Sequence, residues 1–382
     1  MVGLRTPDAE HGRRNVGAVL FVMGSIFGAV LLQLVFLLPP LFEANPAARY
    51  ASMAAGAVLA FPAVLVYLTV PRLLDRYDPE PGWALMMVFV WGALAACGMA
   101  ATVNTLAGHV GGENFAAVVS APICEEFFKG LAIWAMFSLW KREFDGVIDG
   151  IIYATFVALG FAAIENVVYY SKAQIESRDA LTATFILRGV VTPWAHPLFT
   201  SMTGIGFGLS RESTRPTVRW LGPLLGYAAA VFLHAVWNGA AVLSSSLRVP
   251  LVLLLLPLWF LFVMAFMVMV MVLVLRRGRI IREHLHDEVL MGFLTPQEFA
   301  LVSSAFGQLR ARFGPHGALR MQLVATAARL ALSKWHATRA FQGNTRTMSF
   351  DFIAPLRERI ASLRARMGEA PPPRGGPPTS GR

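Results

Sequence analysis

Four ionisable side chains and two histidines fall inside stretches that are otherwise apolar. Glu125, Glu126 and Lys129 lie in the run Ala-Pro-Ile-Cys-Glu-Glu-Phe-Phe-Lys-Gly at 121–130. Glu165-Asn166, His196, and His234 with Asn238 follow in later apolar stretches. An ionised side chain at the centre of a membrane span costs about 2.5–3.5 kcal/mol, so three carboxylates and a lysine left unpaired would cost about 10 kcal/mol. The economical arrangement is one shared polar site inside a helical bundle.

Helical spacing agrees. Lys129 is three residues from Glu126 and four from Glu125, so either carboxylate can pair with the ammonium. Adjacent Glu125 and Glu126 point about 100° apart and should do different jobs. His234 and Asn238, four apart, share a face. Gly160, just before Phe161 and five residues before Glu165, would let a neighbouring helix approach closely.

Such a set permits water activation. A buried carboxylate can take a proton from water, and a histidine and an asparagine can donate to a developing oxyanion. Two histidines with one or two glutamates could instead hold a metal ion, for which Glu126, Glu165, His196 and His234 are the candidates. The sequence leaves open whether there is one divalent ion such as zinc or none. There is no H-E-x-x-H, no G-x-S-x-G and no Walker-type loop.

The elements that must position these groups are membrane helices. Of 382 residues, 56% are hydrophobic and 15% charged, against about 25% charged in soluble domains. A water-soluble globular protein and a disordered one are both excluded. Two cysteines, Cys97 and Cys124, exclude a disulfide scaffold and a Cys-rich zinc site. Eight stretches are long enough to span a bilayer: about 16–38, 53–70, 83–106, 115–140, 147–170, 188–209, 221–243 and 249–275. The fold class expected is all-α, a polytopic membrane protein of about eight transmembrane helices with a small helical cytosolic tail. The first span lacks a small-residue cleavage site and reads as a retained helix.

Loop arginines and lysines set the orientation. Arg5, Arg13, Arg14, Arg72, Arg76, Lys141, Arg142, Arg211, Arg215 and Arg219 fall on one side, and only Arg49, Lys172, Arg178, Arg188 and Arg248 on the other. Both termini are therefore expected in the cytoplasm. The expected division is a cytosolic segment at 1–14, a transmembrane domain at 15–275, a basic helical tail at 276–370 and a disordered Pro/Gly-rich end at 371–382. Residues 1–275 hold 16 basic and 16 acidic side chains, whereas 276–382 hold 17 and 7, so the tail carries the whole net charge of +10. Within it, Thr295-Pro296-Gln297-Glu298 reads as a helix start with a capping box. The run Gly314-Pro315-His316-Gly317 should separate two helices.

Taken together, the polar segments resemble the PrsW-type intramembrane protease family, which is related to the CAAX prenyl endopeptidase and bacteriocin-processing membrane proteins. The matching pieces are Glu125-Glu126-Phe127-Phe128-Lys129, then Asp149-Gly150 leading to Gly160-Phe161-Ala162-Ala163-Ile164-Glu165-Asn166, then His196-Pro197-Leu198-Phe199-Thr200, and His234-Ala235-Val236-Trp237-Asn238. They occur in the family's order over about 85–245. The resemblance implies hydrolysis of peptide bonds in or near the bilayer of a bacterial-type inner membrane. Its substrates would be membrane-anchored proteins such as anti-sigma-factor-like regulators. By motif position, Glu126 would activate water with help from Glu125, and His196 and His234 would complete the site. Asn238 would help bind the oxyanion, Glu165 and Asn166 would line the site, and Lys129 would hold the carboxylates. The resemblance says nothing about 276–382.

Plainer readings stand beside these. Glu125, Glu126 and Lys129 could form a structural ion network, Glu165-Asn166 an interhelical hydrogen bond, and each histidine a satisfied core residue. Asp149 is best read as a cap at its helix start. His284, His286, Asp287 and Glu288 read as a charged helix face rather than a metal tract. The basic tail suits anionic lipid; nucleic acid is disfavoured because no binding motif is visible. The competing function is a proton- or ion-coupled transporter, since intramembrane carboxylates and histidines also make proton relays. The absence of an evident inverted repeat counts against it. An inactive family member acting as a scaffold is a third possibility, against which the intact motifs count.

Overall fold

Every regular element among the described residues is helical. The computed structural model describes residues 7–247, 251–343, 347 and 349–370, with side chains omitted at 7–14, 245 and 251–254. The expected disorder at 371–382, Arg5 and Arg248 lie outside the described residues, as does the first part of the last expected span.

Helix α1 covers Pro7–Leu32, α2 Pro46–Tyr67, and α3 the stretch Gly82–Gly111, which includes a π-helical turn at Trp91–Ala96. Helix α4 is Ala121–Leu139, α5 Val147–Glu176, α6 Ala195–Glu212, α7 Pro216–Leu247 and α8 Leu251–Leu290. Among the described residues, six helical stretches are long and apolar enough to cross a membrane. Of the eight spans expected, the two outside this set are α4 and α6. Helix α4 carries Glu125, Glu126 and Lys129, and α6 is short, rich in Gly, Ser and Thr, and holds His196, Arg211 and Glu212.

The chain divides into two compact units, Met1–Pro71 with Glu80–Phe266, and Arg72–Pro79 with Met267–Arg382. In the first unit α5 is central. Its most apolar stretch is 94% buried, against 11–17% in the corresponding stretches of α1, α2 and α7. Small residues allow this. A Cβ on Gly160 would lie 2.1 Å from the Phe89 carbonyl oxygen of α3, and one on Gly150 would lie 2.1 Å from that of Gly204 in α6. Such backbone contact replaces the hydrophobic drive that lipid removes. Asp149 caps α5 as expected: its Oδ2 accepts from the backbone N–H groups of Asp145 (2.7 Å) and Gly146 (3.0 Å).

The sixth expected span differs. A helix was expected to run unbroken from Arg188, but a short helix and a π-helical turn at Ile186–Val191 precede a break at 192–194. Pro193 causes it, because the residue before a proline is driven from helical geometry. Helix α6 then begins at Ala195, which puts His196 in its first turn.

In the second unit, helices α9 (Pro296–Val302), α10 (Gly307–Phe313), α11 (Gly317–Gln342) and α12 (Phe350–Arg366) pack with the end of α8. The capping box at Thr295 forms, with Thr295 Oγ1 accepting from the Glu298 N–H (3.1 Å) and Glu298 Oε2 from the Thr295 N–H (2.7 Å). The expected break falls between α10 and α11, where His316 is left-handed at φ 54°. On the charged helix face read at 284–288, Glu288 is turned inwards. That side chain is fully buried, clamped by Arg357 (2.7 and 2.9 Å) and Lys334 (2.7 Å). These hydrogen bonds to Glu288 raise the Arg357 pKa above its ordinary value. Asp78, from the loop Arg72–Pro79, pairs with Arg329 at 2.7 Å.

Candidate active site

Helix α4 has Pro122 in its first turn, where a missing N–H breaks no helical bond. One turn on, Glu125, Glu126 and Lys129 are all buried. Lys129 Nζ donates to Glu126 Oε1 at 3.0 Å and lies 3.5 Å from Glu125 Oε2, so the pairing that the spacing permitted is made with both carboxylates. The ammonium also sits 4.0 Å from the centre of the Phe161 ring, a favourable cation–π placement away from water.

The two glutamates have different surroundings. Glu126 is fully enclosed and takes three donors: Lys129, His234 Nδ1 (3.1 Å) and Thr200 Oγ1 (2.8 Å). Glu125 is held loosely, with Lys129 Nζ and Asn104 Nδ2 each at 3.5 Å and His234 Nε2 at 3.8 Å. Asn104 is itself fixed by the Ser120 hydroxyl, which donates to its Oδ1 at 2.8 Å.

Each histidine rests one ring nitrogen on a carboxylate. His234 uses Nδ1 on Glu126, and His196 uses Nε2 on Glu165 Oε2 at 2.7 Å. In a neutral imidazole this assigns the N–H to the bonded nitrogen and leaves the other as an acceptor. The acceptors are then His234 Nε2 and His196 Nδ1, the latter facing Lys129 Nζ at 3.2 Å. The rings meet edge to face with centroids 5.2 Å apart, and Phe199 stacks on His234 at 5.3 Å.

One ligand atom each from Glu125, His196 and His234 lies within 4.8 Å of the others. Two histidines and a carboxylate are a donor set that suits zinc. A carboxylate behind each ligand histidine is the usual outer layer of such a site. By their chemistry the residues fit one divalent cation. Glu126 and Glu165 each bond a histidine ring nitrogen, and Glu125 joins the two histidines in this group.

Arg188, counted above as a boundary charge, belongs to the site. Its Nη2 donates to Glu165 Oε2 (2.5 Å) and its Nε to Asn166 Oδ1 (2.8 Å). Glu125, Glu126, Lys129, Glu165, His196 and His234 are thus brought together, and Asn166 joins through Arg188. Asn238 is turned elsewhere, donating its amide to the Ala117 carbonyl at 2.9 Å. Sequence reasoning missed Arg188, Thr200 and Asn104. Each left a signal: Arg188 is an arginine in the apolar run 185–191, Thr200 is four residues from His196, and Asn104 is a polar residue inside the third span.

Residues 80–275 match the model of a family described as PrsW family intramembrane metalloprotease. The chain belongs to the PrsW family. Protease PrsW of Geobacillus kaustophilus is 31% identical over 170 residues, covering 44% of this chain and 70% of that protein. Protease PrsW of Oceanobacillus iheyensis is 28% identical over 177 residues, covering 46% and 77%. That of Bacillus subtilis is 27% identical over 170 residues, covering 44% and 73%. No solved structure matches the chain. This PrsW family member is an intramembrane protease, a multi-pass all-helical membrane hydrolase, and nothing in the matches favours transport. The family match ends at residue 275, where the apolar part of α8 gives way to Arg276 and Arg277.

Proposed function

We propose that Glu125 is the carboxylate that activates water, and that Glu126 is its structural partner. This reverses the order read from the sequence. The carrying observation is the difference in their partners. Glu126 spends its oxygens on Lys129, His234 and Thr200, whereas among the described residues Glu125 makes no hydrogen bond shorter than 3.5 Å and groups with both histidines. Glu125 takes the proton as water adds to the scissile carbonyl, then returns it to the departing amine. Glu126 holds His234 in one tautomer and keeps Lys129 in place, and Glu165 does the same for His196. Were a divalent ion held by His196, His234 and one oxygen of Glu125, the other Glu125 oxygen would remain the base and the ion would supply Lewis-acid stabilisation of the oxyanion.

We infer that the substrates are membrane-anchored proteins such as anti-sigma-factor-like regulators, consistent with a site enclosed within a helical bundle. All eight helices α1–α8 cross an inner membrane of bacterial type in this reading. Both termini are cytoplasmic and the basic segment after residue 275 lies near anionic lipid. The distribution of Lys and Arg supports that orientation.

The test compares N-terminal fragments in the membrane proteomes of cells expressing wild type, Glu125→Gln and Glu126→Gln at equal levels. Fragments of membrane-anchored proteins found only where Glu125 is intact support the reading. Identical patterns in wild type and Glu125→Gln would refute the role given to Glu125.

A further inference from the structure

We propose that Arg188 is a positioning residue of the active site, which locks Glu165 and Asn166 so that His196 presents its Nδ1 to Glu125 and Lys129. The proposal rests on the reading of His196 and Glu125 as working parts of the site.

One oxygen carries the connection. Glu165 Oε2 accepts both from Arg188 Nη2 (2.5 Å) and from His196 Nε2 (2.7 Å). The position of the imidazole is therefore fixed relative to the guanidinium. The second arm of the fork, Nε to Asn166 Oδ1, ties down the neighbouring residue on α5, and the guanidinium carbon lies 3.9 Å from the centre of the Tyr169 ring. Three consecutive contacts thus orient the group: a carboxylate, an amide and an aromatic face. Glu165 needs such a lock, because its side chain is 20% exposed and burial alone does not fix it.

The segment that supplies Arg188 is itself pinned. It is the π-helical turn Ile186–Val191, an element often found at functional sites. At the next residue, the Tyr67 hydroxyl donates to the Gly189 carbonyl. A Cβ at Gly189 would lie 2.9 Å from the Tyr170 hydroxyl, so the backbone is pressed against α5. Tyrosines from α2 and α5 thereby hold the turn that aims the arginine.

A competing role is charge neutralisation alone, which any cation would satisfy. Lysine distinguishes the two, because it keeps the charge but cannot reproduce a planar fork serving two acceptors and a ring. The experiment uses the full chain in liposomes, labelled with 15N at histidine, with His196 identified by the signals lost in His196→Gln. Arg188→Lys, Arg188→Gln and Glu165→Gln are compared with wild type by solid-state NMR and thermal melting. Wild type should show His196 as a single tautomer protonated at Nε2. Arg188→Gln and Glu165→Gln should both lose that single-tautomer signal. Arg188→Lys should melt near wild type yet still show mixed tautomers. Its turnover on a substrate recovered from the proteome comparison should fall about 10–100-fold, the usual effect of losing an outer-layer partner. A wild-type His196 signal in Arg188→Lys, with wild-type turnover, would overturn the positioning role and leave a charge partner. An unchanged His196 in Glu165→Gln would overturn the proposal at its base, together with the account of how His196 is oriented. Should Arg188→Gln fail to fold, Arg188→Lys decides.

Discussion

Glu125 and Glu126 are neighbours in sequence and opposites in environment, and the difference has measurable consequences. Replacing Glu125 by Gln keeps its volume and removes the base, so turnover should fall on the order of a hundred- to ten-thousand-fold with little change in melting temperature. Thr200→Val removes the hydroxyl that donates to Glu126. Weakening a hydrogen bond to a buried charge should lower stability by about 1–3 kcal/mol, read by thermal melting in detergent. Asn238→Ala should lower turnover less than about threefold, a modest effect for a side chain whose amide is spent on the Ala117 carbonyl. The chemistry-bearing residues were legible because charge at membrane depth is expensive, which singled out Glu125, Glu126, Lys129 and Glu165. Which glutamate has lone pairs to spare was not legible. That depends on Thr200 and His234, which lie 74 and 108 residues away from Glu126. Arg188 was hidden for a related reason: its place at the edge of an apolar run looks the same whether it meets lipid headgroups or Glu165.

At the scale of elements, α5 does most of the positioning. Its glycines set how close its neighbours come, and its buried face carries Glu165 and Asn166 towards α6 and Arg188. Gly160→Leu would drive a side chain into the Phe89 carbonyl. Overpacking of this kind costs about 1–3 kcal/mol or more, and the variant should melt earlier and lose activity together. The tail helices depend on a different device, the buried Glu288 held by Arg357 and Lys334. Glu288→Ala leaves Arg357 without this partner and Lys334 with Asp287, a loss of about 1–3 kcal/mol. Limited trypsin digestion should then cut within α9–α12 at concentrations that leave wild type intact. The caps of this region were readable from Thr295 and from Gly314–Gly317. The burial of Glu288 was not, because a glutamate beside an aspartate on a helix looks solvated until the partner helices are in place. The break before α6 was signalled by Pro193, but the apolar residues on both sides of it masked the interruption.

For the molecule as a whole, hydropathy and the order of four motifs carried the all-helical membrane fold and the protease assignment. The charged groups that define the site also lower the apolar character of α4, so function is written partly at the expense of the span signal. With Glu125, His196 and His234 converging and a carboxylate behind each histidine, chelation should reduce turnover and added Zn2+ should restore it. Zinc binding to the purified protein should weaken about 10–100-fold when Glu126 or Glu165 is replaced by Gln. The central claim is that this chain cleaves membrane-anchored substrates through Glu125. The direct measurement reconstitutes purified protein in liposomes with a substrate recovered from the proteome comparison, and follows the appearance of the cut fragment. Wild type should generate it, Glu126→Gln should do so more slowly, and Glu125→Gln should be inactive with an unchanged melting temperature. Cleavage by folded Glu125→Gln at the wild-type rate would contradict the account.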